Sequence, residues 1–337
     1  MSIAFQILGQ AGGDNAVLLH IDSGQSIERL LFDCGEGCIS ELPLSEIQAI
    51  DHLFFSHLHM DHVAGFDSFF RCVFNRETKP NRIWGPPDMI RIFHHRFQGF
   101  LWNLHEQLNA SWQVSEIHPH EVRTARYELR EAFSTVHDEC AQPYEWTIFE
   151  GEAYTAEAIT MDHRTPSMAY IIREKPRQNV DTSRLAALGL RPGPWLKSLK
   201  EIETTTEPLV IDGIAYSHEQ LRKALLVESP GDSFAYLTDF LLNEPAIERL
   251  AERLHGVGHV VCEGQYRHSD LELAEKNFHT TTIQSATLAQ KAQIGELYLF
   301  HLSARYERRD WLQMLHDART IFPNTYFPAH WNLDPLH

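Results

Sequence analysis

Seven consecutive residues, Ser56-His57-Leu58-His59-Met60-Asp61-His62, constrain this chain more than any other stretch. They place three imidazoles and a carboxylate in the pattern H-x-H-x-D-H, and those are side chains that a divalent transition metal prefers. The preceding run, Asp51-His52-Leu53-Phe54-Phe55, predicts a buried strand. The cluster therefore sits where a strand gives way to a loop, on a rigid support. Histidine is common here, 21 of 337 residues, so a lone His carries little weight beside four ligand positions at fixed spacing.

Three further candidates stand at the ends of apolar runs. His163 follows Ile159-Thr160-Met161-Asp162, Asp239 follows Phe234 to Thr238, and His301 follows Leu297 to Phe300. Side chains at strand ends converge on one edge of a sheet, so a shared site is expected. Other strands are predicted at Ile3–Leu8, Ala16–Ile21, Arg29–Phe32, Arg82–Trp84, within 112–172, and at 259–262. Helices are expected at 66–76, after Pro87, and at 244–255, 282–293 and 309–320, with Phe93, Phe97, Phe100, Leu101 and Leu104 as a core-facing stripe. This mixture predicts an α/β fold of sheets covered by helices. The glycine-rich Gly9–Gly13 lacks the nucleotide-binding fingerprints and is read as a hairpin turn.

The composition, 43% hydrophobic and 22% charged, is that of a globular protein with a large core. No apolar run approaches the roughly 20 residues that span a bilayer, and the N-terminus lacks the pattern of a secretion signal. Five scattered cysteines form no disulfide framework, which points to a reducing cytoplasm. A net charge of -17 argues against a nucleic-acid partner, but the charge is uneven. Between Arg173 and Lys200 seven basic residues face only Glu174 and Asp181. This half of a turn-rich segment over 173–232 is a candidate clamp for a phosphate backbone.

H-x-H-x-D-H, then a strand-end His, a strand-end Asp and a final His, in that order, resembles the metallo-β-lactamase superfamily. Within it, the closer likeness is to ribonuclease Z, the tRNA 3′-end endonuclease. It rests on Leu31-Phe32-Asp33-Cys34-Gly35-Glu36-Gly37, Ile83-Trp84-Gly85-Pro86-Pro87, Met161-Asp162-His163-Arg164-Thr165-Pro166, Phe278-His279-Thr280-Thr281 and His301-Leu302-Ser303-Ala304-Arg305-Tyr306. Pro192-Gly193-Pro194-Trp195, ahead of Lys197 and Lys200, resembles that family's tRNA-gripping exosite. The chain departs from the family where Cys262-Glu263-Gly264-Gln265 replaces His-Glu-Ala-Thr, and where Cys38-Ile39 replaces Thr-Gln.

The resemblance implies an αββα sandwich, one catalytic domain over 1–337 with a basic arm inserted at 173–232. It implies one zinc held by His57, His59 and His163, a second by Asp61, His62 and His301, and Asp239 bridging them. Manganese or iron accepts the same mixed nitrogen and oxygen ligands. Asp33 would orient the histidine cluster, and Asp61 would also accept a proton from the attacking water. Glu263 would orient His279, which would contact the scissile phosphate or protonate the leaving oxygen; Arg305 would pair with phosphate. Precursor tRNA would be held through residues 173–200, in a homodimer in which one subunit's arm holds the RNA cut by the other. A phosphodiesterase or other hydrolase of the same fold acting on small molecules is the alternative, favoured by the acidic composition and the altered motifs. A non-catalytic relative is a third, and the complete ligand set argues against it.

Overall fold

The computed structural model describes residues 3–24, 26–200 and 208–333. They form two compact units, one from the chain up to Arg173 together with Asp232 onward, the other Glu174–Gly231.

The strands of the larger unit begin with β1 (Ile3–Gly9), β2 (Asn15–Asp22), β3 (Ile27–Phe32), β4 (His52–Phe54), β5 (Asn81–Gly85), β6 (Ser111–Ile117), β7 (Glu121–Glu128) and β8 (His137–Pro143). These eight form one sheet in sequential order. β3 to β6 run parallel, while both ends of the sheet are antiparallel. Next come β9 (Thr147–Glu150), β10 (Tyr154–Asp162) and β11 (Pro166–Glu174). The inserted unit carries β12 (Arg177–Val180), β13 (Leu209–Ile211), β14 (Ile214–Tyr216) and β15 (Leu226–Ser229), paired as two small ribbons. The chain returns through β16 (Ser233–Leu237), β17 (His259–Glu263), β18 (Glu296–Phe300) and β19 (Thr325–Tyr326). The second sheet runs β19-β18-β17-β16-β11-β10-β9.

Alternation along the strands explains the layers. Val17, Leu19, Leu30, Phe32 and Phe54 face the second sheet and pack with Tyr170, Phe234 and Tyr236. Their neighbours Leu18, Leu31, Leu53 and Phe55 face outward, against Phe66, Phe70, Phe93 and Phe97 from the helices Phe66–Val73 and Met89–Phe97. Each such buried side chain is worth about 1.5–3 kcal/mol. Helices Glu244–Arg253, Thr282–Ala292 and Arg308–Ile321 cover the second sheet, so the order of layers is αββα.

The glycine-rich turn after β1 is a hairpin, with Gly9 at φ +86° and the Asn15 amide donating to Leu8 O and Gln10 O. The expected aromatic stripe is corrected in part. Phe93 and Phe97 are buried, but Phe100 is 40%, Leu101 101% and Leu104 90% exposed. The helix stops at Phe97 because Gln98-Gly99 follow, and Trp102 donates back to the Phe97 carbonyl at 2.8 Å; beyond that point helical spacing no longer decides which side faces the core.

One close approach positions the histidine cluster. Cys34 N donates to His62 O and Gly65 N to Cys34 O, both at 2.8 Å. A Cβ at Gly65 would lie 2.2 Å from Gly35 O, which is backbone and cannot yield cheaply. Gly65→Ala is therefore expected to cost about 1–3 kcal/mol, the scale of overpacking in a tight interior. A lower urea midpoint with an unchanged slope would register it.

Candidate metal centre

The H-x-H-x-D-H cluster begins just past the end of β4 and runs into the short helix Met60–Val63. His163 follows β10, Asp239 lies two residues past β16, and His301 directly follows β18. Asp33, Asp239 and His301 all have left-handed backbone, at φ 55°, 51° and 52°. That conformation costs a non-glycine residue about 1–3 kcal/mol and persists only where the surroundings enforce it. Here it turns each side chain off its strand.

These residues meet. Donor atoms of His57, His59 and His163 lie within 4.8 Å of one another, and so do those of Asp61, His62, Asp239 and His301. One oxygen of Asp239 is 3.7 Å from His57 Nε2, 3.7 Å from His163 Nε2 and 3.5 Å from His62 Nε2; its other oxygen is 3.2 Å from His301 Nδ1. Asp61 lies 3.5 Å from His62 Nε2 and 3.7 Å from His301 Nε2. Ligands sharing a tetrahedral ion with bonds of about 2.1 Å stand about 3.4 Å apart, close to these separations.

The donor chemistry also fits a cation. His62 Nδ1 is fixed on Asp33 at 2.8 Å and His163 Nδ1 on the Phe278 carbonyl at 2.7 Å, so each presents a bare Nε2. The buried Nε2 of His62 has no hydrogen-bond partner among the described residues. His57 Nε2 and His59 Nδ1 approach to 3.0 Å. Burial, with repulsion from neighbouring imidazoles, holds His57 well below its ordinary pKa, and His59 is lowered by burial as well. Burial also opposes charge on His62 and His301, yet Asp239 outweighs it and lifts His62 well above its ordinary value and His301 to about 10. Asp239 itself is held far below the carboxylate range by His301 and His62, against the effect of burial. The site thus draws positive charge to itself, and its donor set suits a divalent ion.

Two more layers support it. Asp33, fully buried, accepts from Ser56 N, Ser56 Oγ, His62 Nδ1 and the Tyr236 hydroxyl, all at 2.7–2.8 Å. Sequence reasoning named Asp33 but missed Tyr236, which reads as one more apolar residue of its strand. Glu263, also fully buried, holds His279 Nδ1 at 2.9 Å and accepts from Phe240 N with its other oxygen. Burial disfavours charge on His279, but Glu263 raises its pKa overall. Gln265, likewise missed, lies 3.3 Å from His301 Nδ1 through its amide nitrogen. Arg305 is exposed, its guanidinium 5.2 Å from the Tyr266 ring centre.

The fold and this constellation define a metal-dependent hydrolase of the metallo-β-lactamase class. Two solved structures share the fold over nearly the whole chain. The metallo-β-lactamase fold protein YhfI from Bacillus subtilis matches with a TM-score of 0.57 at 14% identity, covering 97% of this chain and 96% of its own. The short form of human tRNase Z matches at 0.52 and 17%, covering 90% and 94%. A family model described as "Anti-Pycsar protein Apyc1" matches residues 10–175. The protein called ribonuclease Z in Deinococcus radiodurans is 47% identical over 96% of this chain and 97% of its own length. The chain belongs to the ribonuclease Z family, and it is an endoribonuclease by class.

Among the described residues no helix is long and apolar enough to cross a membrane, and the five cysteines are free thiols.

Proposed function

We propose that the protein cuts precursor tRNA at its 3′ end, using two zinc ions. The observation that carries this is the pair of donor clusters meeting at Asp239, with the Glu263–His279 pair beside them. His57, His59 and His163 would hold one ion, Asp61, His62 and His301 the other, with Asp239 shared. When bound, such ions would lower the pKa of a water they hold and offset the charge that develops in a phosphoryl displacement.

The chain's own groups do the rest. Asp61, its side chain 47% exposed, accepts the proton of the attacking water. Glu263 fixes His279 at Nδ1 and favours its charged form, so Nε2 carries a proton for the leaving oxygen. Asp33, braced by Ser56 and Tyr236, keeps His62 in the tautomer that leaves Nε2 bare.

The inserted unit, Glu174–Gly231, has eight basic and eight acidic residues in its sequence, so a grip on RNA depends on where the charges lie. Arg177 and Arg184 pair with Glu174 and Asp181. Arg191, Lys197 and Lys200 are exposed, around the helix Trp195–Lys200. These three grip the tRNA backbone. The protein acts as a cytoplasmic homodimer, each arm presenting RNA to the partner's metal centre.

The variant Arg191→Glu, Lys197→Glu, Lys200→Glu is expected to raise KM for precursor tRNA about tenfold or more and to flatten its salt dependence. Hydrolysis of bis(p-nitrophenyl) phosphate should stay unchanged. Equal loss on both substrates would make the arm a structural element and leave a small-molecule phosphodiesterase as the better reading.

A further inference from the structure

The first sheet has eight strands and the second seven. The second ends at β9, whose Phe149 packs on His52 of β4 and Trp84 of β5, with ring centres 4.6 and 6.0 Å away. Past that line, polar residues stand on the strands: Gln113 and Ser115 on β6, Thr124 on β7, Gln142 on β8. The β8–β9 connection walls off this ledge, with the Tyr144 hydroxyl anchored on the His118 carbonyl at 2.8 Å. Together they line a half-open recess of about 330 Å³, within the size range of small-ligand sites.

Its lining is chemically coherent. Trp84, Tyr144 and Phe149 offer ring surface, and the Trp84 N–H is committed to His52 at 2.9 Å. The Ser115 and Thr124 hydroxyls pair with each other at 2.9 Å. The amides of Gln113 and Gln142 have no partner among the described residues, so their donors and acceptors are open to a ligand. Arg82 is the one charged residue of the lining, its guanidinium 5.8 Å from the Phe149 ring centre. Ring surface for stacking, open amides for an edge of donors and acceptors, and a guanidinium for an anion are what a nucleotide requires.

We propose that this recess binds a single nucleotide, its base on the aromatic corner, its base edge on Gln113 and Gln142, and its phosphate toward Arg82. None of these residues belongs to the donor clusters of the metal centre, so the proposal stands whether or not precursor tRNA is the substrate. The nucleotide is either a free mononucleotide or an unpaired nucleotide of an RNA.

Titration calorimetry of the full-length, metal-loaded protein with AMP, CMP, GMP and UMP tests this. The metal centre contributes equally to wild type and recess variants and cancels in the comparison. At least one mononucleotide is expected to bind, and Gln113→Ala with Gln142→Ala to weaken it about tenfold or more, the loss of two hydrogen bonds of about 1 kcal/mol each. Thr124→Trp, which fills the recess while both glutamines are retained, is expected to remove the recess's share of the binding while circular dichroism stays that of the wild type. No binding at millimolar concentration, or equal affinity in wild type and both variants, overturns the proposal. An unstructured oligoribonucleotide titrated in parallel separates the sources. Weakening of both ligands by the amide variant assigns the recess to RNA; weakening of the mononucleotide alone assigns it to a free nucleotide.

Discussion

Replacing Asp239 with alanine is expected to abolish hydrolysis, lowering kcat/KM by about 10³-fold or more for RNA and small diester alike. The carboxylate places one oxygen 3.5–3.7 Å from nitrogens of three histidines and the other 3.2 Å from a fourth. It thereby reaches His57 and His163 of one donor cluster and His62 and His301 of the other. A metal pair contributes several kcal/mol of transition-state charge stabilisation, and each 1.36 kcal/mol is a factor of ten in rate. Metal content, read by inductively coupled plasma mass spectrometry, should fall in the same variant. Wild-type activity with a full metal complement would sink the shared-carboxylate assignment. Circular dichroism serves as the control, because Asp239 is also buried and accepts a hydrogen bond from Thr238.

His279→Ala separates chemistry from metal binding. Its Nδ1 is 2.9 Å from Glu263 but 3.9 Å from Asp239, beyond hydrogen-bond reach. A general acid is worth about 10²–10⁴-fold, so RNA cleavage should slow by that amount while metal content stays at the wild-type level. The effect should shrink on bis(p-nitrophenyl) phosphate, whose p-nitrophenolate departs without a proton. Loss of metal in this variant would instead make His279 a ligand, since a donor atom of its ring lies within 4.8 Å of those of Asp239, Glu263 and His301.

Much of this site was legible in the sequence because its donors obey a local rule. H-x-H-x-D-H is contiguous, and His163, Asp239 and His301 each close an apolar run, which places them at one sheet edge without knowledge of strand order. What stayed hidden depends on distant contacts or on backbone conformation. Tyr236 reaches Asp33 across 203 positions of sequence, and His163 leans on the carbonyl of Phe278 across 115. The left-handed turns at Asp33, Asp239 and His301 leave only a faint mark in residue type, since aspartate and histidine are enriched at positive φ but do not demand it.

The basic arm shows what a count of formal charge leaves out. Seven cations in a short stretch read as a continuous clamp, yet Arg173 is bound to Glu157 and Arg177 and Arg184 to their own neighbours. Formal charge counts side chains; it does not count the carboxylates that neutralise them. The stripe from Phe93 to Leu104 holds only as far as Phe97, since helical periodicity was carried past Gly99, where the helix had ended. The polar ledge over β6 to β8 was invisible because it depends on how far one sheet outreaches the other.

The most direct test is cleavage of a 3′-extended precursor tRNA by the purified, zinc-loaded protein, with the product ends mapped and bis(p-nitrophenyl) phosphate assayed in parallel. A single cut near the discriminator nucleotide is the expected result. Turnover of the small diester with the precursor left intact would contradict it, keeping the metal chemistry and removing tRNA as the substrate.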